Sequence, residues 1–188
     1  MSNTEIVKNI LSKYEENQNE KLPSKNLENL LNSGKLSGTG KLIIYPVDQG
    51  FEHGPDRSFS VNPQAYDPHY HISFALEAGM SAFAAPLGMI ESGISTFANK
   101  IPFILKCNSS NSLTNIKDQA LTGNVKDAIK FNCIGVGFTI YPGSEYNFKL
   151  IEQACNLFRE AKEAGLITVL WSYARGNISK KGETAINI

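Results

Sequence analysis

The sequence is poor in cysteine, has no excess of either charge and contains no long apolar run. Its three cysteines are widely spaced, and Cys107 and Cys133 lie in apolar runs, which argues against a disulfide framework and indicates buried thiols in a reducing compartment. Eighteen basic residues balance eighteen acidic ones, so no cationic field favours nucleic acid or an anionic membrane. Nowhere do the roughly 18 apolar residues of a membrane span run together. We therefore expect a cytoplasmic protein with a small-molecule partner, no nucleic acid and no membrane.

The first forty residues differ in composition from the rest, since they are rich in Asn, Glu, Lys and Ser. Ile6 and Ile10 lie one helical turn apart, and apolar residues at helical spacing follow Ser24. This pattern predicts two short amphipathic helices. We expect residues 1–40 to form a helical extension that covers one end of the domain, and residues 41–188 to form the domain itself.

The rest of the chain alternates between short apolar runs and helical patterns. The apolar runs predict five strands, at residues 42–47, 81–86, 102–107, 133–140 and 166–171. Helical patterns cover residues 71–78, 125–131 and 144–164, and the last has a predicted buried stripe of Phe148, Ile151, Cys155 and Phe158. Because the strands are almost continuously apolar, we expect them to be parallel and covered on both faces.

Repeated βα units build either an open doubly wound sheet or a closed eight-stranded barrel. No G-x-G-x-x-G motif opens a helix after the first strand, and no P-loop occurs anywhere in the chain, which argues against a Rossmann fold. We therefore expect a TIM (β/α)8 barrel. Such barrels take about 250 residues, so five strands predict an incomplete one. Lys180 to Ile188 have the pattern of a helix start with no strand after it.

Polar side chains follow the predicted strands at their carboxyl ends. They comprise Asp48 and His53 after the first strand, Lys106 at the end of the third, Tyr141 to Glu145 after the fourth, and Trp171, Tyr173 and Arg175 at the end of the fifth. In a barrel these ends converge on one mouth, where such enzymes react. An acid, an imidazole, a phenol and cations favour proton transfer on an anionic small molecule. Because Arg offers a planar fork to oxyanions, phosphate is a plausible part of that molecule.

Four motifs at these positions carry a resemblance to a known family. VDQGFEHGP, FILKCN, YPGSE and VLWSYARG occur in this order, and together they resemble the N-terminal portion of the archaeal-type class I fructose-bisphosphate aldolases over roughly residues 41–188. Gln49 stands where that family often has His. The resemblance implies a TIM-barrel enzyme that cleaves fructose 1,6-bisphosphate reversibly to dihydroxyacetone phosphate and glyceraldehyde 3-phosphate in glycolysis or gluconeogenesis. It also implies a homo-oligomer with no cofactor and no metal.

The resemblance also implies roles for single residues. The family forms a Schiff base between a lysine and the substrate ketone, and that lysine is expected on the sixth strand, beyond Ile188. Tyr173 is implied as the acid/base at the C4 hydroxyl, and Asp48 as a proton relay beside the lysine. Trp171 is implied to pack against the substrate, and His53 and Arg175 to order its polar or phosphate groups.

Each of these residues has a simpler alternative role. Asp48 precedes Gln-Gly, a common turn device, and His53 is explained equally well by a bond to the backbone. Trp171 and Tyr173 are also typical core residues, although their two-residue spacing places both on one face of a strand. Arg175 is also typical of a solvated loop cation.

Lys106 and the histidines offer two competing chemistries. Lys106 is an alternative Schiff-base lysine, but a lysine at a barrel rim more often extends to solvent or forms an ion pair. His53, His69 and His71 with Asp48 suggest a metal site. Pro68 favours a helix start at His69 and His71, however, and residues two apart diverge on a helix, so we expect no metal.

Two further functions remain open from the sequence. One is a noncatalytic fragment or sugar-phosphate-binding module, because the expected Schiff-base lysine is absent from the 188 residues. The other is a related Schiff-base aldolase with a different phosphorylated substrate, because a shared fold does not fix the substrate.

Overall fold

The computed structural model describes residues 2–17 and 24–176. Its strands are β1 (Ile44–Pro46), β2 (Ala82–Pro86), β3 (Phe103–Lys106), β4 (Asn108–Ser109), β5 (Ala120–Leu121), β6 (Gly135–Ile140) and β7 (Ile167–Ser172). Five of them form a parallel sheet in the order β1-β2-β3-β6-β7, and β4 pairs with β5 in a separate antiparallel ribbon. The sheet curls into part of a barrel. All five predicted strands and the incomplete (β/α)8 barrel are confirmed.

Eight α-helices occur among the described residues. They are α1 (Asn3–Asn17), α2 (Ser24–Leu31), α3 (Gln49–Glu52), α4 (Pro55–Phe59), α5 (Pro68–Ala78), α6 (Leu87–Phe97), α7 (Val125–Lys130) and α8 (Asn147–Glu163), with a 3₁₀ helix at Pro63–Tyr66. The predicted helices correspond to α1, α2, α5, α7 and α8. The sequence did not predict α3, α4, α6 or the β4–β5 ribbon. Three of them, α3, α6 and the ribbon, directly follow the carboxyl ends of β1, β2 and β3.

The sheet separates two apolar clusters. The inner one includes Ala84, Ile104 and Ile167. In the strand register Ala84 is beside Ile104, and Gly135 lies between Ile104 and Ile167. Small and large residues therefore alternate across one layer of the barrel interior. The larger outer cluster packs the helices against the other face and includes Phe83. Every residue of β6 is buried, as expected for a parallel strand covered on both faces.

The N-terminal helices lie at the end of the barrel opposite the polar loops. Leu30 of α2 is buried in the inner apolar cluster. The side-chain amide of Asn26 donates a hydrogen bond of 2.7 Å to the carbonyl of Gly165, just before β7 begins. The extension therefore covers the amino-terminal end of the strands. A domain boundary at residue 40 stays a prediction.

The predicted buried stripe of α8 is wrong at three of its four residues, and only Phe158 packs partly against the core. Phe148 is 82% exposed and Ile151 is 41% exposed, and Cys155 is also exposed. The helix instead packs through Leu150, Ala154, Leu157 and Ala161. Both sets recur at helical spacing, so the sequence pattern alone did not select between two faces of one helix.

Two remaining expectations concern the ends of the chain and the membrane. The predicted helix start at Lys180 to Ile188 lies outside the described residues. Among residues 2–17 and 24–176, no helix has the length and apolar character that a membrane crossing requires.

Candidate functional site

Asp48 and Lys106 meet where two strands end. Lys106 is the last residue of β3 and is 5% exposed, and its Nζ lies 3.1 Å from Oδ2 of Asp48. Asp48 follows β1 by two residues, and Val47 between them donates to the carbonyl of Ala84 in the next strand. The sheet therefore fixes both ends of this ion pair. The expectation that Lys106 forms an ion pair at the barrel rim is confirmed.

A second carboxylate, that of Glu52, completes an ion triad in which Lys106 and Glu52 are buried and Asp48 is partly exposed. α3 is a single helical turn in which the amide of Glu52 donates to the carbonyl of Asp48 at 3.0 Å. Residues four apart lie on one side of a helix, so both carboxylates face Lys106. Lys106 Nζ donates to Oε1 of Glu52, which is 6% exposed. Glu52 is not among the site residues predicted from the sequence, because the one-turn helix α3 was not predicted.

The triad opens into a small cavity of about 90 Å³, here called the reaction pocket. Nine residues line it: Pro46, Val47, Asp48, Gln49, Ala84, Lys106, Thr139, Trp171 and Tyr173. The structure thus brings Asp48, Trp171 and Tyr173 together around the ammonium of Lys106. Trp171 lies across Gly137 of β6, the only kind of residue that leaves room for the indole there.

The phenol of Tyr173 has a raised pKa. Burial is the main cause, the carboxylates of Asp48 and Glu52 add to it, and the guanidinium of Arg175 opposes it. The centre of that guanidinium lies 5.7 Å from the ring centroid. The net shift is upward, so the phenol is protonated at neutral pH and its phenolate, when formed, is a stronger base than that of an ordinary tyrosine. The Arg175 guanidinium favours the phenolate, but burial and the two carboxylates outweigh it.

A larger cavity of about 290 Å³ lies beside the reaction pocket and is here called the polar cavity. Its lining is mostly polar and includes Glu52, His53, Arg57, Ser110, Ser112, Lys117 and Arg175. Three cationic side chains and an imidazole around one cavity suit a phosphate or another oxyanion. His53 and Arg175 therefore share a cavity with each other and not with Trp171 and Tyr173.

Tyr141 holds Arg175 in the wall of the polar cavity. Nη1 of Arg175 donates a hydrogen bond of 3.0 Å to the hydroxyl of Tyr141, and the amide of Gln119 donates to the same oxygen. Tyr141 is 1% exposed, and burial raises its pKa while Arg175 partly offsets this rise. The sequence grouped Tyr141 with the polar strand ends but gave no sign of this contact, which spans 34 residues.

The positions of the carboxylates and the histidines test the hypothesis of a metal site formed by Asp48 and the three histidines. Ligand atoms of Asp48, Glu52 and His53 lie within 4.8 Å of one another, but the two carboxylates already bind Lys106. His69 and His71 lie at the start of α5, as predicted from Pro68. His69 contacts Asp67, whereas Nε2 of His71 lies 2.8 Å from the carbonyl of Ala65. Among the described residues, these two imidazoles do not join the acidic group.

Comparisons with known proteins identify relatives over most of the chain. Residues 42–188 match the sequence profile of the DeoC/LacD family of aldolases. A probable fructose-bisphosphate aldolase class 1 of Chlamydia trachomatis is 40% identical over 153 residues, which cover 80% of this chain and 44% of that protein. A fructose-bisphosphate aldolase/6-deoxy-5-ketofructose 1-phosphate synthase of Methanocaldococcus jannaschii is 36% identical over 149 residues, covering 73% and 47%.

Solved structures show the same likeness. An archaeal fructose-1,6-bisphosphate aldolase, whose catalytic Lys is covalently bound to the carbinolamine intermediate of its substrate, is similar with a TM-score of 0.73 and 33% identity. The match covers 84% of this chain and 61% of that one. The chain spans about half the length of the curated relatives it matches.

Proposed function

Because the chain belongs to the DeoC/LacD family of aldolases, we propose that the protein is a class I fructose-bisphosphate aldolase. It cleaves fructose 1,6-bisphosphate reversibly to dihydroxyacetone phosphate and glyceraldehyde 3-phosphate through a lysine Schiff base. The observation that carries the proposal is the reaction pocket, where Asp48, Trp171 and Tyr173 surround one buried ammonium at the carboxyl ends of the strands.

The proposed chemistry uses an iminium as electron sink. A lysine amine condenses with the C2 ketone and releases water, and Asp48 relays the protons of this step. A base then takes the proton of the C4 hydroxyl, the bond from C3 to C4 breaks, and its electron pair moves into the enamine. Tyr173 is proposed to exchange that proton, and its protonated phenol suits the reverse direction, in which the new C4 alkoxide must gain one. Trp171 is proposed to pack against the substrate chain.

Lys106 is poorly suited to be the Schiff-base nucleophile. Its amine contacts the carboxylates of Asp48 and Glu52 and is 5% exposed. An ammonium held between two carboxylates has no lone pair to attack a ketone. We therefore propose that the nucleophile is a lysine other than Lys106, and assign Lys106 to the electrostatic field of the pocket.

The polar cavity is proposed to bind a phosphate group of the substrate. It adjoins the reaction pocket through the Glu52 and Lys106 pair, and His53 and Arg175 line it. A phosphate there would receive charge-assisted hydrogen bonds from a planar guanidinium. The cavity thus supports a phosphorylated substrate.

Borohydride trapping with dihydroxyacetone phosphate, followed by peptide mapping, tests the proposal. The expected result is one reduced adduct on a lysine other than Lys106. An adduct on Lys106 would contradict the assignment of the nucleophile, and no adduct would contradict the class of enzyme. In Tyr173→Phe the adduct should still form while cleavage falls by about 10²–10⁴-fold, the usual contribution of one acid/base group. Unchanged turnover would remove Tyr173 from the mechanism.

The remaining expectations belong to the same proposal. We propose a cytoplasmic homo-oligomer that acts without metal, and activity that persists in a chelator would support the last point. A related Schiff-base aldolase with another phosphorylated substrate is the second candidate, favoured by the dual name of the Methanocaldococcus jannaschii relative. A noncatalytic sugar-phosphate-binding module would bind phosphate and form no borohydride adduct.

A further inference from the structure

Glu52 lies in the wall between the two cavities. It lines the polar cavity, and its carboxylate binds Lys106, which lines the reaction pocket. Its side chain is 7% exposed. A buried carboxylate is stable only when hydrogen bonds and an opposite charge satisfy it. The groups that bind Glu52 are therefore the groups that Glu52 holds in place.

Those partners belong to both cavities. Oε1 of Glu52 accepts from Lys106 Nζ and also from the amide of Ser110 at 3.0 Å. The carbonyl of Glu52 accepts from the amide of Ser112 at 2.8 Å. Ser110 and Ser112 both line the polar cavity. One residue on α3 thus fixes an ammonium at the end of β3 and the main chain that follows it.

We propose that Glu52 is a positioning residue that fixes the reaction pocket and the polar cavity relative to each other. This role rests on the proposed aldolase function. Its carboxylate holds the Lys106 ammonium against Asp48 on one side and the main-chain amide of Ser110 on the other. A substrate with its phosphate in the polar cavity then presents its reacting carbons at a fixed distance from Tyr173. Such precision matters because misplacement by about 1 Å can cost about a hundredfold in rate.

Two substitutions separate the two contacts. Glu52→Gln keeps an oxygen that can accept from the Ser110 amide but removes the charge that binds Lys106. Glu52→Ala removes both contacts and leaves the carbonyl bond to Ser112 in place. The proposal therefore predicts different results for the ammonium and for the main chain in the two variants.

The first measurement is acylation of Lys106 by acetic anhydride in the native protein, quantified by mass spectrometry against an exposed lysine. Lys106 should react slowly in the wild type, because it is buried and paired with two carboxylates. In both variants its acylation should rise at least about fivefold, the effect of losing roughly 1 kcal/mol of ion-pair stabilisation. Equal acylation in Glu52→Gln and the wild type would overturn the proposal.

The second measurement is amide hydrogen exchange of a peptide covering residues 108–113. Exchange should be at least about fivefold faster in Glu52→Ala, since the Ser110 amide loses its acceptor. It should stay within about twofold of the wild type in Glu52→Gln, which retains the acceptor. Unchanged exchange in Glu52→Ala would also overturn the proposal.

Three controls separate a local effect from unfolding. Cys107 follows Lys106 and is 0% exposed, so its thiol should stay unreactive in every variant that remains folded. Cys155 is exposed and should react equally in all of them. Asp118→Asn breaks a surface ion pair with Lys149 of 3.3 Å, and it should change neither the acylation of Lys106 nor the exchange of residues 108–113.

Turnover connects Glu52 to the reaction. With fructose 1,6-bisphosphate, Glu52→Gln should lower kcat at least about tenfold and leave KM within about threefold, because the polar cavity is retained. A lowered kcat together with unchanged acylation would assign Glu52 a role other than positioning Lys106. If the wild type forms no borohydride adduct, the proposed function fails, whereas acylation and exchange still decide whether Glu52 tethers the two cavities.

Discussion

Trp171 and Gly137 are in direct contact across neighbouring strands of the barrel interior. A Cβ atom placed on Gly137 would lie 2.0 Å from Cζ3 and 2.3 Å from Cη2 of Trp171. Because Gly137 has no side chain, the six-membered ring of the indole can approach β6 closely. This contact determines where Trp171 stands in the reaction pocket.

Gly137→Ala should displace the indole. We expect the substitution to lower the free energy of unfolding by about 1–3 kcal/mol, as overpacking of a core typically does. Because Trp171 is the only tryptophan, its fluorescence reports the displacement directly, and the emission should shift to longer wavelength as water reaches the ring. Urea unfolding followed by fluorescence measures both effects.

Gly88→Ala is the matched control for Gly137→Ala. A Cβ on Gly88, in the first turn of α6, meets no atom within 4 Å. This variant should keep the wild-type emission, and its stability should be unchanged or higher by up to about 1 kcal/mol, since Ala favours the helix. An unshifted emission in Gly137→Ala would show that the strand moves instead of the indole.

Tyr141→Phe tests the support of Arg175. The substitution removes the oxygen to which both Arg175 and Gln119 donate. We expect the free energy of unfolding to fall by about 1–2 kcal/mol and the affinity for inorganic phosphate to weaken by about two- to tenfold. Isothermal titration calorimetry measures the affinity. Tyr66→Phe is the control, because Tyr66 is 48% exposed and lies outside the polar cavity. Wild-type phosphate affinity in Tyr141→Phe would show that Arg175 does not depend on this hydroxyl.

The buried thiols predict a loss of stability at alkaline pH. Burial raises the pKa of Cys107 to about 12, with smaller contributions from Cys133, Asp127 and Glu160, and burial likewise raises the pKa of Cys133 to about 12. In the unfolded chain a thiol ionises near pH 8.5. Between these values the native state holds more protons, so the stability present below about pH 8.5 is lost as the pH rises toward 12.

The magnitude can be measured by urea unfolding between pH 8 and 10.5. Each buried thiol should contribute a slope that approaches about −1.4 kcal/mol per pH unit above its unfolded pKa. Cys107→Ala should make the slope shallower even though it lowers stability at pH 7. Cys155→Ala should leave the slope unchanged, because that thiol is exposed. A Cys107→Ala slope equal to that of the wild type would contradict the raised pKa.

Much of the barrel could be predicted from the sequence, because the apolar runs of parallel strands are almost continuous. Once the strands are parallel neighbours, their carboxyl ends share one edge, and this alone brings Asp48, Lys106, Trp171 and Tyr173 together. The contact between Glu52 and Lys106 could not be predicted. It spans 54 residues and depends on a single helical turn after β1, whose formation the local sequence does not signal.

The face of α8 could not be predicted for a different reason. The helix has two apolar sets at helical spacing, and periodicity does not show which one meets the sheet. The prediction chose the face with Phe148 and Ile151, whereas the buried face carries Leu150, Ala154, Leu157 and Ala161. The small alanines allow the helix to approach the strands closely. A prediction that favours large apolar side chains does not anticipate this packing.

Paired truncations on α8 distinguish the two faces by stability. Leu150 is 0% exposed, and Leu150→Ala should lower the free energy of unfolding by about 2–5 kcal/mol, since it leaves a cavity between α8 and the sheet. Phe148 is 82% exposed, and Phe148→Ala should change stability by no more than about 0.5 kcal/mol despite removing the larger side chain. Urea unfolding of both variants beside the wild type makes the comparison. If Phe148→Ala were the more destabilising of the two, the aromatic face of α8 would be covered in the folded protein, and the helix would have to be rotated about its axis by about a third of a turn.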